Sequence, residues 1–373
     1  MTGEGMAATE EERQAIGETA ADFCRSATEG TKIFDAMTTR AGYDPRIWTR
    51  MTQELGLAGL LVPEPLGGLG LGFSEAAIVL AETGRSLLPS PLLPTLAMTK
   101  VLLHVSSDPA LDLLAKATAQ GASISLAISE GNSSSVDSEQ LQATRAEGHG
   151  AEFALTGEKD FVLYGDSADI LLVTARDGDD VGLYAVDGDA TGLRRMPHMT
   201  LDQTRRLARL DLRNVRATRL TRAGAGEATA AYARNIMLVA LAVEAAASAD
   251  ECLVRTVAYL NVREQFGRVL GSFQALRHRC ANIAVQVQGA LATAHAAVEA
   301  VDGPELGLLA PLARAVCGDA FLFAAGEMIQ LHGGIGFTFE HHAHLYLKRA
   351  VSTQVMFGSS DELRDEVGDL AGI

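Results

Sequence analysis

The sequence is poor in several features that would mark it as a specialised protein. Its 373 residues hold four cysteines, Cys24, Cys252, Cys280 and Cys317, and no two of them stand in a CxxC spacing. A disulfide framework and a zinc ribbon are thereby excluded, and a chain of this length can bury a core without such staples. Three of the cysteines fall in apolar, helix-like patterns, which predicts buried thiols in a reducing cytoplasm. No His/Asp constellation recurs beside any of them, so none is read as a nucleophile. Positive charge is also scarce: 31 Lys and Arg face 47 Asp and Glu, a formal net charge of −16. That balance excludes general binding to nucleic acid, although a few local arginines can still hold phosphates. No apolar run approaches the ~18 residues that a bilayer span requires, so no membrane segment is expected. The opening "MTGEGMAATEEERQAIGETA" has neither a basic stretch nor an apolar one, and is not read as a signal peptide.

What is present falls into three regions, together a multidomain α+β chain. Residues 1–120 read as an N-terminal helical domain, with "DPRIWTRMTQELGLAGLLV" and "FSEAAIVLAETGRSLL" at helical spacing. The Gly- and Pro-rich "PEPLGGLGLG" between them is a loop. Over 121–222 the period shifts toward two: "SISLAIS", "AEFALTG", "KDFVLYG", "DILLVTA" and "VGLYAVD" predict a small β-sandwich or barrel, with "EGNSSSVDSEQ" a polar loop inside it. Residues 223–373 return to long Ala- and Leu-rich helices with short connections, a C-terminal helical bundle.

Four segments in this order resemble the acyl-CoA dehydrogenase family over nearly the whole chain. They are "VPEPLGGLGLGFSEAAIVLAETGRSL", "GEKDFVLYGDSADILLVTAR", "VREQFGRVLGSFQALRH" and "QLHGGIGFTFEHHAHLYLKRA". The resemblance implies FAD as cofactor, an acyl thioester of coenzyme A as substrate, and α,β-dehydrogenation. A carboxylate base would remove the α-proton while the β-hydride leaves for the flavin. It further implies a homotetramer or a pseudo-symmetric α2β2 assembly with a homologous subunit, and a flavoprotein as electron acceptor.

The residue chemistry suits that carry-over. Arg263 offers a permanently charged planar fork for a pyrophosphate. Phe266 offers an apolar face, and Gly267 a close backbone approach. Gln330 can donate and accept, while Gly333 and Gly334 remove side chains from a tight contact. By resemblance, these two segments complete the FAD site of a neighbouring subunit. For the chain's own flavin, Phe161 matches the stacking aromatic, and Ser129 and Ser135 match loop hydroxyls. Leu163, however, stands where the family places a hydroxyl and has no donor or acceptor to give.

The base is the discrepancy. One branch of the family carries its glutamate twenty-seven residues after the motif Gln, where this chain has Phe357. Another carries it twenty-six residues before the motif Arg, where it has Met237. Neither side chain can accept a proton. Glu244 lies seven residues beyond Met237, ~10 Å along a helix, and is the candidate for a displaced base. Asp361 and Glu362 read instead as the acidic first turn of a helix capped by serine. In "EHHAH" (Glu340, His341, His342, His344) only Glu340 and His344 stand at i and i+4; two residues are not a site, and no metal is expected. The expectation is therefore a base-lacking subunit of a heteromeric acyl-CoA dehydrogenase, resembling those that act on bulky acyl groups such as steroid side chains. The alternatives are a self-sufficient homomer that uses Glu244, another flavin chemistry on the same fold, or a scaffold without flavin.

Overall fold

The computed structural model describes residues 8–131, 143–150 and 152–373. Its first region is helical: α1 (Glu10–Thr28), α2 (Lys32–Thr38), α3 (Pro45–Thr49), α4 (Phe73–Ser86), α5 (Leu92–Val105) and α6 (Asp108–Gln120). The local causes are visible in the sequence. Thr9 and Glu12 form a reciprocal capping box on α1. Asp44 caps α3 with Pro45 at its first position, and Ser107 caps α6.

The central region is one seven-stranded sheet: β1 (Ile124–Ala127), β2 (Arg145–His149), β3 (Glu152–Leu163), β4 (Ile170–Asp177), β5 (Asp180–Asp187), β6 (Leu193–Pro197) and β7 (Leu207–Arg219). Strand β5 pairs with both β7 and β4, so the sheet curls back on itself. Leu155, Val173, Tyr184, Leu210 and Val215 fill its interior as a second core. Two runs expected as separate strands, "AEFALTG" and "KDFVLYG", are the single strand β3. It continues because Gly157, at φ +149°, passes close to Ala143 and Thr144, where a Cβ would lie 2.6 Å from the Ala143 carbonyl oxygen. A second register shift lies between Lys159 and Val162, where Phe161 takes φ +51°.

The last region holds α7 (Gly226–Val262), the short hairpin β8 (Glu264–Gln265) and β9 (Arg268–Val269), then α8 (Gln274–Glu299), α9 (Leu306–His332), α10 (Ala343–Thr353) and α11 (Ser360–Ala371). Helix α7 packs on α8 and α9 within the bundle and on α4 and α5 of the first region. Helices α4 and α7 approach closely at Gly84, where any Cβ would lie 2.6 Å from the Glu244 carbonyl oxygen. By length and composition α9 could cross a membrane, but most of its apolar window is buried in the bundle. Cys24, Cys252 and Cys317 are buried, Cys280 is half-buried, and all four are free thiols.

Candidate functional site

The residues singled out above separate into an exposed group and a buried one. The exposed group sits at one end of the bundle. After α7 the chain turns through the β8–β9 hairpin, and its two turn residues, Phe266 (φ +56°) and Gly267 (φ +76°), both take left-handed backbone. That is the geometry of a tight type I′ hairpin. Phenylalanine is a costly residue there, and its ring is 86% exposed. Arg263 is exposed beside it, and among the described residues its side chain makes no hydrogen bond or ion pair.

Helix α9 ends at the same place. Its last residue, His332, stacks on Tyr259 of α7 with ring centroids 4.4 Å apart, and this contact joins the two helix ends. Gly333 stops α9 at φ +64°. Gly334 has no such backbone need, and a Cβ there would meet nothing within 4 Å. No contact among the described residues requires a glycine at 334. Gln330 is exposed on the last turn, while Phe337 (75% exposed) and Ile335 add apolar surface.

The buried group lies where the sheet meets the bundle. Phe161 is half-buried and stacks on His198, with centroids 5.5 Å apart and 21° between the planes. Asp160 accepts from the Phe161 N–H at 2.8 Å and lies 2.5 Å from His198 Nε2. Leu163 is buried, and its carbonyl accepts from the Ser125 hydroxyl. Ser129 is buried, and its carbonyl accepts from the Asp160 N–H at 2.9 Å. Ser135 lies outside the described residues. Next to these, Glu130 takes Lys159 Nζ at 2.6 Å and the N–H groups of Ala143 and Thr144. Burial pulls the Lys159 ammonium down to about 8, and Glu130 opposes that shift.

Both places where a base was sought hold apolar side chains inside the core. Met237 is 0% exposed on α7. Phe357 is 6% exposed, in the turn between α10 and α11 at φ +59°. Arg234, one turn before Met237, donates two hydrogen bonds to Glu366 at 2.7 and 2.8 Å and a weak one to the Phe357 carbonyl at 3.5 Å. It is a strut from α7 to α11. Ser359 and Glu362 form a capping box on α11, as the acidic first turn suggested.

Glu244 is 6% exposed, and both of its oxygens are engaged. Oε1 accepts from the Thr83 hydroxyl at 3.0 Å. Oε2 pairs with Arg205 and lies 3.7 Å from Arg349 Nη1. Arg349 also donates to Asp202 at 2.8 Å and to both oxygens of Thr204. Arg205 reaches Thr353 Oγ1 at 3.2 Å. Both carboxylate oxygens are thus already occupied by side chains of this chain. Sequence reasoning missed Arg205, Arg349, Asp202 and Thr83. The only signal was "DQTRRLAR", and arginines are ordinarily read as surface residues. Among the described residues no cluster of three His, Cys, Asp or Glu could hold a metal ion, and Glu340 is exposed.

Comparison with known proteins establishes the family and the fold. Models of the acyl-CoA dehydrogenase N-terminal and C-terminal domains match residues 10–110 and 224–371. The Acyl-CoA dehydrogenase IpdE2 of Mycobacterium tuberculosis is 34% identical over 356 residues, 95% of each chain. The chain belongs to the acyl-CoA dehydrogenase family. IpdE2 of Mycolicibacterium smegmatis is 33% identical over 94% of this chain and 96% of its own. Among solved structures, a variant of the Tcur3481-Tcur3483 steroid acyl-CoA dehydrogenase superposes with a TM-score of 0.88 at 28% identity, covering 97% of this chain and 98% of that one. The ChsE4-ChsE5 complex from Mycobacterium tuberculosis shares the acyl-CoA dehydrogenase fold, with a TM-score of 0.88 at 22% identity over 98% of each chain. The helical, β and helical regions described above are thus the layout of this family.

Proposed function

We propose that this chain is a subunit of a FAD-dependent acyl-CoA dehydrogenase, paired with a homologous chain that supplies the catalytic carboxylate. The carrying observation is the contrast between the two groups of residues. Arg263, Phe266, Gly267, Gln330, Gly333 and Gly334 are exposed, and the bare apolar rings of Phe266 and Phe337 stand beside them. The two base positions are buried and apolar, and Glu244 is committed to arginines. The exposed group fits a dinucleotide held from outside the chain. Arg263 would grip a pyrophosphate through two parallel hydrogen bonds. Phe266 would lie against an apolar face, and the open space above Gly334 would admit a close approach. Bound FAD supplies the acceptor for the β-hydride of the acyl thioester.

The chain's own flavin-facing residues fit less well. Leu163 offers no hydrogen bond, and Phe161 already stacks on His198. Its role would therefore be to bind and orient the cofactor of a neighbour in an α2β2 enzyme of the cytoplasm, with electrons passing to a flavoprotein acceptor. The likeness to a steroid acyl-CoA dehydrogenase supports a bulky acyl group as substrate.

Flavin content and solution mass test this reading. The chain purified alone should hold well under one FAD per subunit. Co-expression with a homologous chain that carries the glutamate should give a complex with one FAD per pair. A lone homotetramer that holds one FAD per subunit and dehydrogenates an acyl-CoA would overturn the proposal.

A further inference from the structure

Arg314 lies within α9 with 0% exposure, and among the described residues its Nε, Nη1 and Nη2 all lack a hydrogen-bond partner. Every other buried cation among the described residues has an anion beside it. Lys159 has Glu130, Arg205 has Glu244, and Arg349 has Asp202. Among the described residues, Arg314 has Arg205, a like charge, and the buried thiol of Cys317 in its neighbourhood, but no carboxylate paired with it. The buried cluster thus sets three guanidinium groups against two carboxylates, one positive charge in excess. Burial and Arg205 pull the Arg314 guanidinium down to about 10, so it stays protonated at neutral pH.

The packing keeps the head group where it is. Gly318 lies one turn further along α9, and a Cβ there would fall 2.4 Å from Arg314 Nη1. The same Cβ would be 3.4 Å from Gln354 Nε2, an amide that donates to Asp319 at 3.0 Å. Arg205 approaches the same turn through Thr353 and Met356. Two guanidinium groups therefore converge on the Thr353–Met356 turn, the segment that leads into Phe357. A water could accept from Arg314 but would leave the excess charge uncompensated in the interior. A polyatomic anion is disfavoured because the arginine has no exposed surface.

We propose that Arg314, facing Arg205 beneath the Thr353–Met356 turn, binds a buried monovalent anion of the halide class, chloride under ordinary conditions.

The test uses the protein in whatever assembly it is recovered. Its thermal midpoint is measured in sodium gluconate, chloride and bromide at constant ionic strength, and a bromide-soaked crystal is examined at the bromine edge. We expect a saturable rise, on the order of 2 °C per tenfold of halide above the binding midpoint, and an anomalous peak beside Arg314. Arg314→Met, which removes the charge, should lose the halide dependence. Gly318→Ala, which crowds the head group, should weaken it. Equal midpoints in gluconate and halide for the unaltered protein, or no bromide peak at Arg314, would mean a water at most and would overturn the proposal. These measurements need no enzymatic activity and stand apart from the subunit reading above.

Discussion

Glu244→Gln is the substitution that separates a structural carboxylate from a displaced base. The side chain keeps its size, so packing is preserved and only a charge is lost. That charge faces Arg205 directly and Arg349 at 3.7 Å, in a site where all three side chains are less than a tenth exposed. Without it, Arg205, Arg349 and Arg314 share a single carboxylate, Asp202. Removing one partner of a buried ion pair typically costs about 3–5 kcal/mol, because the remaining charge cannot return to water. Converted for a chain of this size, the fall in thermal midpoint would be on the order of 5–10 °C. The assay is thermal unfolding followed by circular dichroism, beside the dehydrogenase rate of the co-expressed complex. We expect a large loss of stability, with the rate of the surviving complex within a few-fold of the unaltered enzyme. A midpoint within 1 °C of the original, together with a collapse in rate, would refute the ion-pair argument and identify Glu244 as the base.

Arg263→Ala removes an exposed and unpartnered side chain, so stability should change by less than about 0.5 kcal/mol. FAD retention by the co-expressed complex, read from flavin absorbance after gel filtration, should fall at least tenfold, with Arg263→Lys intermediate. Phe357→Glu places a carboxylate in a buried site at positive φ; it should lower the thermal midpoint and leave the lone chain without dehydrogenase activity, as measured with an artificial electron acceptor. Acid should destabilise the end of α9. Burial, reinforced by His332, His342 and other neighbouring cations, pulls His341 down to about 4 in the folded chain, against an ordinary 6.5. Folding therefore favours neutral imidazole, and this contribution is complete above about pH 6.5 and lost as the pH falls toward 4. Thermal midpoints measured between pH 7.5 and 4.5 should fall with pH, and His341→Gln should flatten the slope.

The expectations from sequence succeeded or failed for local reasons. The serine cap of α11 was readable because its partner is three residues away, Ser359 with Glu362; the box of Thr9 with Glu12 is of the same local kind but was not singled out. The long helices were readable because their apolar spacing repeats over many turns. Strand β7, "LARLDLRNVRATR", was passed over because the alternation that starts at "LARLDL" breaks at Arg213 and Asn214, both exposed, with Asn214 at φ +54°. Strand β3 looked like two runs because Gly157 interrupts the pattern without interrupting the pairing.

The sequence by itself determined the family, the three-region order and the motif segments, because glycines, arginines and apolar periods act over short distances along the chain. It also determined that Met237 and Phe357 hold no carboxylate, since that is a matter of residue type alone. Only the tertiary structure decided what surrounds each charge. Arg263 and Arg314 are the same residue type, one just past the end of α7 and the other within α9. One ends up in solvent beside a bare hairpin, the other among apolar helices with no partner among the described residues. Glu244 and Arg205 are 39 residues apart and meet only where the sheet closes against the bundle. Burial and pairing arise from residues remote in the chain, and no local spacing encodes them.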